Sequence, residues 1–213
     1  MPRNYIDGSV NLSRLYLINL PDFLNGLEIR GSFYCSKNHL TSLKGSPATV
    51  IGDFNCFNNR LESLEGAPGY IGEDFNCFKN QLESLEGAPD YIGGGFMCIN
   101  NSLTSLKGAP FSIGLNFYCC TNRLKSLIGA PTKVGGMFYC THNKLTSLVG
   151  APTNIVKDFN CSQNRLESLE GCPKSVGGNF VCQEQLDTEG YSTLNVTEED
   201  IRAVCNVKGK VLL

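Results

Sequence analysis

The sequence contains no tryptophan and only two histidines, His39 and His142, far apart along the chain. That leaves little material for histidine-based acid–base chemistry or a His-rich metal site, so catalysis is disfavoured before any motif is sought. Charge of one sign is also scarce: 18 basic and 20 acidic side chains among 213 residues give a net charge of -2. Bulk binding to nucleic acid or to a membrane surface needs a large basic excess, which is missing here. Long hydrophobic runs are absent too. The apolar stretches are only a few residues long, and the opening MPRNYIDGSVNLSRLYLINL lacks the basic start and unbroken apolar core of a signal peptide. The expectation is one soluble, cytoplasmic domain without a membrane segment.

What is abundant is repetition. Phenylalanine recurs every 21 residues at Phe33, Phe54, Phe75, Phe96, Phe117, Phe138, Phe159 and Phe180, without insertion or deletion. Two residues after each comes a cysteine, from Cys35 to Cys182. Asparagine follows from Asn38 to Asn164, then one leucine from Leu40 to Leu166 and a second from Leu43 to Leu169, always preceded by serine. Each unit closes with Gly, Pro and a β-branched residue, from Gly45, Pro47 and Val50 to Gly171, Pro173 and Val176. Seven full copies of FxCxxNxLxSLxGxPxx[IV]xxx occupy roughly residues 31–177. The eighth keeps Phe180 and Cys182 but has Gln185 in the Asn position and Asp187 in the Leu position.

These residues resemble the leucine-rich repeat, whose LxxLxLxxNxL segment is matched with Phe for one leucine and Cys for the next. The Phe, Cys and Gly-x-Pro variant is similar to the short-repeat proteins encoded by tailed, T4-like bacteriophages. The resemblance covers most of the chain and implies a leucine-rich-repeat solenoid, mainly parallel β, with loops or 3-10 turns on its convex side.

The physics of the unit leads to the same solenoid. In a short strand Phe and Cys point inward while the residue between them faces out. About eight parallel strands at a spacing of about 4.8 Å make one continuous curved sheet spanning roughly 35–40 Å, and no repeat buries its face alone. Asn marks the bend and can bond backbone groups of adjacent turns, and Gly-x-Pro suits an irregular return path. Such an array needs ends that cover it. Residues 1–30 are expected to form an N-terminal cap, 31–182 the array, and 183–213 a C-terminal cap. In the last, Thr197 followed by Glu198, Glu199 and Asp200 reads as a capping-box start for a helix near 198–205, with strand-like VKGKVLL behind it.

Eight of the eleven cysteines lie at the inward position, where a free thiol acts as a small buried hydrophobe. A ladder of single thiols does not converge on a metal, and the odd total argues against a disulfide framework. Cys120, Cys172 and Cys205 stand outside the register, and Cys120 is expected on the concave surface, where it would be available as a reactive thiol. No Ser/His/Asp or Cys/His set and no Gly-rich phosphate loop is found, so no enzyme activity, cofactor or metal is expected.

Packing uses up the consensus positions and leaves specificity to the variable ones on the outward face. Tyr34, Phe57, Phe78, Met97, Ile99, Tyr118 and Tyr139 form a diagonal apolar band there. Such a band either marks a protein interface or consists of cross-strand pairs that stabilise the sheet. Charge is segregated as well. Residues 51–90 carry eight acids against Arg60 and Lys79, whereas 91–157 carry six bases and no acid. Glu62 over Glu83 and Glu65 over Glu86 place like charges one strand apart, and Arg123 and Lys144 lie in the basic half. These are either solvated flanks or secondary contacts to a partner.

The leading expectation is a non-enzymatic module that binds a protein partner on its concave face. The phage resemblance implies a host or defence protein as that partner. The alternative is a structural component that self-associates head to tail through its acidic and basic halves. Nucleic-acid binding by the basic half, with Tyr118, Tyr139 and His142, is a minor reading, because six charges over three repeats are few.

Overall fold

The computed structural model describes residues 4–190 and 192–213, so the first three residues of the expected N-terminal cap lie outside the described residues. The chain winds as a parallel β-solenoid whose turns are 21 residues apart, each Phe pairing with the next along the array, as in Phe54 with Phe75 and Phe96 with Phe117. The eight Phe side chains are fully buried and neighbouring rings stack or meet edge to face at 5.0 to 5.8 Å between centroids. The inward cysteines are buried beside them. From Cys77 to Cys161 each thiol donates a weak hydrogen bond to a carbonyl of the following turn, at 3.4 to 3.6 Å.

Two expectations are corrected. The Phe sheet has ten strands rather than about eight. Val10–Asn11 precedes Phe33–Tyr34 and Val211–Leu212 follows Phe180–Val181, all parallel. The return path is not merely loops or 3-10 turns. The β-branched residue of each unit forms a second parallel ladder, seven strands from Tyr5–Ile6 to Lys133–Val134 and three more at Asn154–Ile155, Ser175–Val176 and Asn206–Val207. Among the described residues the one 3-10 helix is Asp22–Leu24, in the first turn. The described residues therefore form three sheets, and the core lies between the Phe column of the ten-stranded one and the Val/Ile column carried by the other two, with both Leu columns buried up to half-buried Leu169. An extended return needs no more residues than an irregular one, and stacking it in register satisfies its backbone groups with those of the next turn.

The bend is held by the asparagine. Asn59 accepts the N–H of Leu40 from the preceding turn at 3.1 Å while its amide nitrogen donates to the carbonyls of Cys35 and Cys56, both at 3.0 Å. The same set recurs through Asn164. Gln185 takes it over at the end of the array, accepting from Leu166 at 3.2 Å and donating to Cys161 at 2.9 Å. Just before each Asn the backbone is left-handed, at Lys37, Asn58, Lys79, Asn100, Thr121, His142, Gln163 and Glu184, with φ of 53° to 57°. At the other corner Gly87 has φ +90°, and a Cβ there would collide with the backbone of Leu64 and Glu65 one turn earlier.

The N-terminal segment is itself wound as a turn. Val10, Leu12, Leu17 and Leu20 stand where Phe33, Cys35, Leu40 and Leu43 stand in the next turn, with Val10 paired to Phe33. Leu15 occupies the Asn position and is 54% exposed. An Asn there would have no earlier turn of the Phe sheet to bond.

At the other end the helix α1, Glu198–Val204, starts with a complete capping box. Asp200 N–H donates to the Thr197 hydroxyl at 3.2 Å and Thr197 N–H donates to the Asp200 carboxylate at 2.8 Å. Arg202 ties α1 to the final strands by donating to the carbonyls of Val207 and Gly209. Among the described residues no helix is long and apolar enough to cross a membrane.

Candidate interaction face

The outward face of the Phe sheet is laid out in rows of three. In each turn the residue before Phe, the one between Phe and Cys, and the one after Cys point away from the core, because strand side chains alternate. Successive rows read Asp53, Asn55, Phe57; Asp74, Asn76, Phe78; Gly95, Met97, Ile99; Asn116, Tyr118, Cys120; and Met137, Tyr139, Thr141. The diagonal band follows from this arrangement. Asn55 and Asn76 are turned onto their own backbone, accepting the N–H of Phe57 and Phe78 at 3.1 and 3.0 Å, and the large side chain in those rows is the one after Cys. In the rows of Tyr118 and Tyr139 it is the one before Cys.

Every member of the expected band, Tyr34, Phe57, Phe78, Met97, Ile99, Tyr118 and Tyr139, is half-buried rather than fully exposed. Phe57 and Phe78 stack at 6.3 Å with their planes 24° apart, and Tyr118 and Tyr139 meet edge to face at 5.5 Å. Met97 pairs with Asn76 on one side and Tyr118 on the other, so its row lies between the two aromatic pairs. The Lys37 ammonium lies 5.2 Å over the Phe57 ring. Desolvation raises both tyrosine hydroxyls above their ordinary value, with Cys120 and Asp74 adding for Tyr118, and Asp158, Tyr118 and Cys120 for Tyr139. They therefore remain neutral donors at neutral pH. Half-buried Met137, which the motif reading passed over, lies beside Tyr139 and extends the band.

The Asp column beside the band is committed to the fold. Asp53 accepts the N–H of Asp74 at 3.2 Å and Asp74 accepts that of Gly95 at 2.6 Å. Cys120 is half-buried, its thiol donates to the Tyr139 carbonyl, and desolvation pushes its pKa up, which argues against a reactive thiolate there.

The charged candidates lie beyond the bend. Glu62, Glu65, Glu83, Glu86, Arg123 and Lys144 are all exposed. The like-charge stack of Glu65 and Glu86 is flanked within its own column, by Lys44 at 3.8 Å from Glu65 and Lys107 at 2.8 Å from Glu86. Glu62 and Glu83 line a recess with Gln81 and Ser102 and have no salt-bridge cation among the described residues. Arg123, Lys144 and half-buried Arg165 occupy equivalent positions in successive turns.

The second sheet carries an aromatic pair that the motif reading did not single out. Tyr70 and Tyr91 stack at 6.4 Å and are 44% and 46% exposed. The signal was available: each immediately precedes an inward isoleucine, but that position counts as outward only once the return path is known to be a strand. Among the described residues no three His, Cys, Asp or Glu side chains come together to hold a metal. No protein-family model and no curated protein sequence matches the chain.

Proposed function

We propose that the protein is a non-enzymatic binding module that takes a protein partner on the outward face of its Phe sheet. The observation that carries this reading is the Phe57–Phe78 stack and the Tyr118–Tyr139 pair on one sheet face, with the row of Met97 and Ile99 between them. Sterically locked aromatics on a rigid sheet present apolar area with little conformational entropy left to lose, and contiguous apolar patches of this kind mark protein interfaces. The chemistry fits a partner segment that inserts apolar side chains between the rings and accepts hydrogen bonds from the two neutral tyrosine hydroxyls. On this reading the molecule is a leucine-rich-repeat protein of the short phage-encoded kind, its terminal segments 1–30 and 183–213 act as caps, and its partner is a host or defence protein. The 21-residue motif supports that assignment through its resemblance to such repeats.

The test compares proteins captured from bacterial lysate by wild type and by Phe57→Ser/Phe78→Ser/Tyr118→Ser, after circular dichroism shows both folded. A protein retained by wild type and lost from the variant is expected, and its purified form should slow hydrogen exchange in the rows from Asn55 to Tyr139. Identical captured sets would refute the assignment of this face.

A further inference from the structure

Between the left-handed glycine and the proline of each turn sits a small residue. It is Ser46 in the first full copy and then Ala67, Ala88, Ala109, Ala130 and Ala151, packed against the core in five consecutive turns. The next turn breaks the column with Cys172. This is the turn to which the C-terminal segment returns. Past α1, Asn206–Val207 pairs with Ser175–Val176, and Asn206 N–H donates to the Lys174 carbonyl at 2.9 Å. Cys205, the residue that ends α1, immediately precedes that strand. The register that sets Asn206 beside Ser175 sets Cys205 beside Lys174, two residues from Cys172, and the two thiols lie within interaction range of each other. Cysteine thus replaces the customary alanine in the one turn where a second off-register cysteine arrives beside it.

We infer that Cys172 and Cys205 form an oxidation site, converted to a disulfide by a peroxide-class oxidant, and that the bond latches α1 and the last return strand to the array. The chemistry balances with one peroxide. A thiolate of the pair attacks a peroxide oxygen, breaking the O–O bond and giving a sulfenic acid and, after protonation, water. The second thiol attacks that sulfur, the S–S bond forms as the S–O bond breaks, and the departing hydroxide takes up the thiol proton to leave as a second water.

Selectivity comes from where the other nine thiols lie. The eight ladder cysteines are buried in the core, and for Cys35 through Cys161 desolvation pushes the thiol well above its ordinary pKa. Cys161 and Cys182 also lie within interaction range of each other, but inside that core. Cys120 has a backbone carbonyl as its thiol's partner. Cys172 is half-buried and gives the pair its access to solvent, while Cys205 is buried beneath it; the contact between them holds the Cys172 thiol well above its ordinary pKa and lowers that of Cys205 despite desolvation, so the pair's thiolate forms on Cys205. The latch also spans a stretch with little regular structure. Between Cys182 and Thr197 the described residues form a single isolated bridge, Leu186 with Ser192.

The test exposes the full-length reduced protein to hydrogen peroxide and maps thiols by non-reducing peptide mass spectrometry. Free thiols should fall from eleven to nine, with the Cys172–Cys205 peptide pair lighter by two hydrogens and both changes reversed by dithiothreitol. Amides of Glu198–Val204 should exchange more slowly in the oxidised form than in the reduced form. Cys172→Ala restores the residue found in five other turns, so it should melt like the reduced wild type, yield no such peptide and show no peroxide-dependent change in exchange. A first product at Cys120 or between Cys161 and Cys182, eleven thiols surviving peroxide that oxidises a free dithiol, or helix exchange indifferent to the bond would each overturn the inference.

Discussion

Asn101 accepts the backbone N–H of Leu82, one turn earlier, at 3.1 Å, while its amide nitrogen donates to the carbonyls of Cys77 and Cys98, both at 3.2 Å. With a further bond to the Ile99 carbonyl at 3.3 Å, one side chain thus binds four backbone groups in two successive turns. Asn101→Ala leaves those groups without it and is expected to cost roughly 1–3 kcal/mol. Leu106→Ala, which empties a fully buried site, is expected to cost about 2–5 kcal/mol. Chemical denaturation of both variants checks the ranking, and a negligible loss for Asn101→Ala would mean that water replaces the staple without penalty.

The Phe57–Phe78 stack makes a separate claim about the outward face. A double-mutant cycle with Phe57→Ser and Phe78→Ser is expected to return a coupling of about 0.5–1.5 kcal/mol, as aromatic pairs do beyond their buried area. Additive losses would show that the rings do not interact in solution. Both single variants should keep the fold, since the Phe columns beneath are untouched.

The thiol ladder predicts a pH response. Seven buried cysteines, Cys35 to Cys161, have a folded pKa raised by desolvation above the ordinary 9.0, so above that pH the unfolded chain releases protons that the folded chain retains. Stability from this source is therefore fully present below about pH 9 and lost as pH rises further. Urea midpoints measured from about pH 7 to about pH 10.5 should be level at first and then fall steeply. Cys98→Ala should make the fall shallower, and a profile flat to about pH 10.5 would contradict the burial of the ladder.

The Phe strand was legible from the sequence because a buried strand in a solenoid has one permitted composition per position. Phe33 and Cys35 recur unchanged, and a period of two around them fixes which side faces in. The capping box at Thr197 was legible for the same local reason, and α1 spans Glu198–Val204 with Cys205 as its last cap rather than a helical residue. The return strands were not. Thr49–Val50 is only two residues long, follows a Gly-x-Pro corner and shows no alternation of its own, so nothing local separates it from a loop. The first turn was obscured in another way: its spacing to the second is 23 residues instead of 21, as in Val10 to Phe33, and Val and Leu replace the Phe and Cys that mark the rest.

The candidate face divides similarly. Alternation identified Phe57, Phe78, Tyr118 and Tyr139 as outward, and the structure brings them together in pairs. It did not give their half-burial, which comes from neighbours one turn away, or the lysines flanking Glu65 and Glu86.

The 21-residue period alone required parallel turns stacked in register, with Phe, Cys and Leu inside, because those side chains must be buried and each turn can be covered only by the next. Whether the return path would pair as well, and where the tail after α1 would come to rest, depended on contacts between residues with no fixed spacing. Asn206 reaches Ser175 across 31 residues, outside the period, and brings Cys205 to Cys172. Only the folded chain decides such meetings, since they are set by how the last turns close over the core.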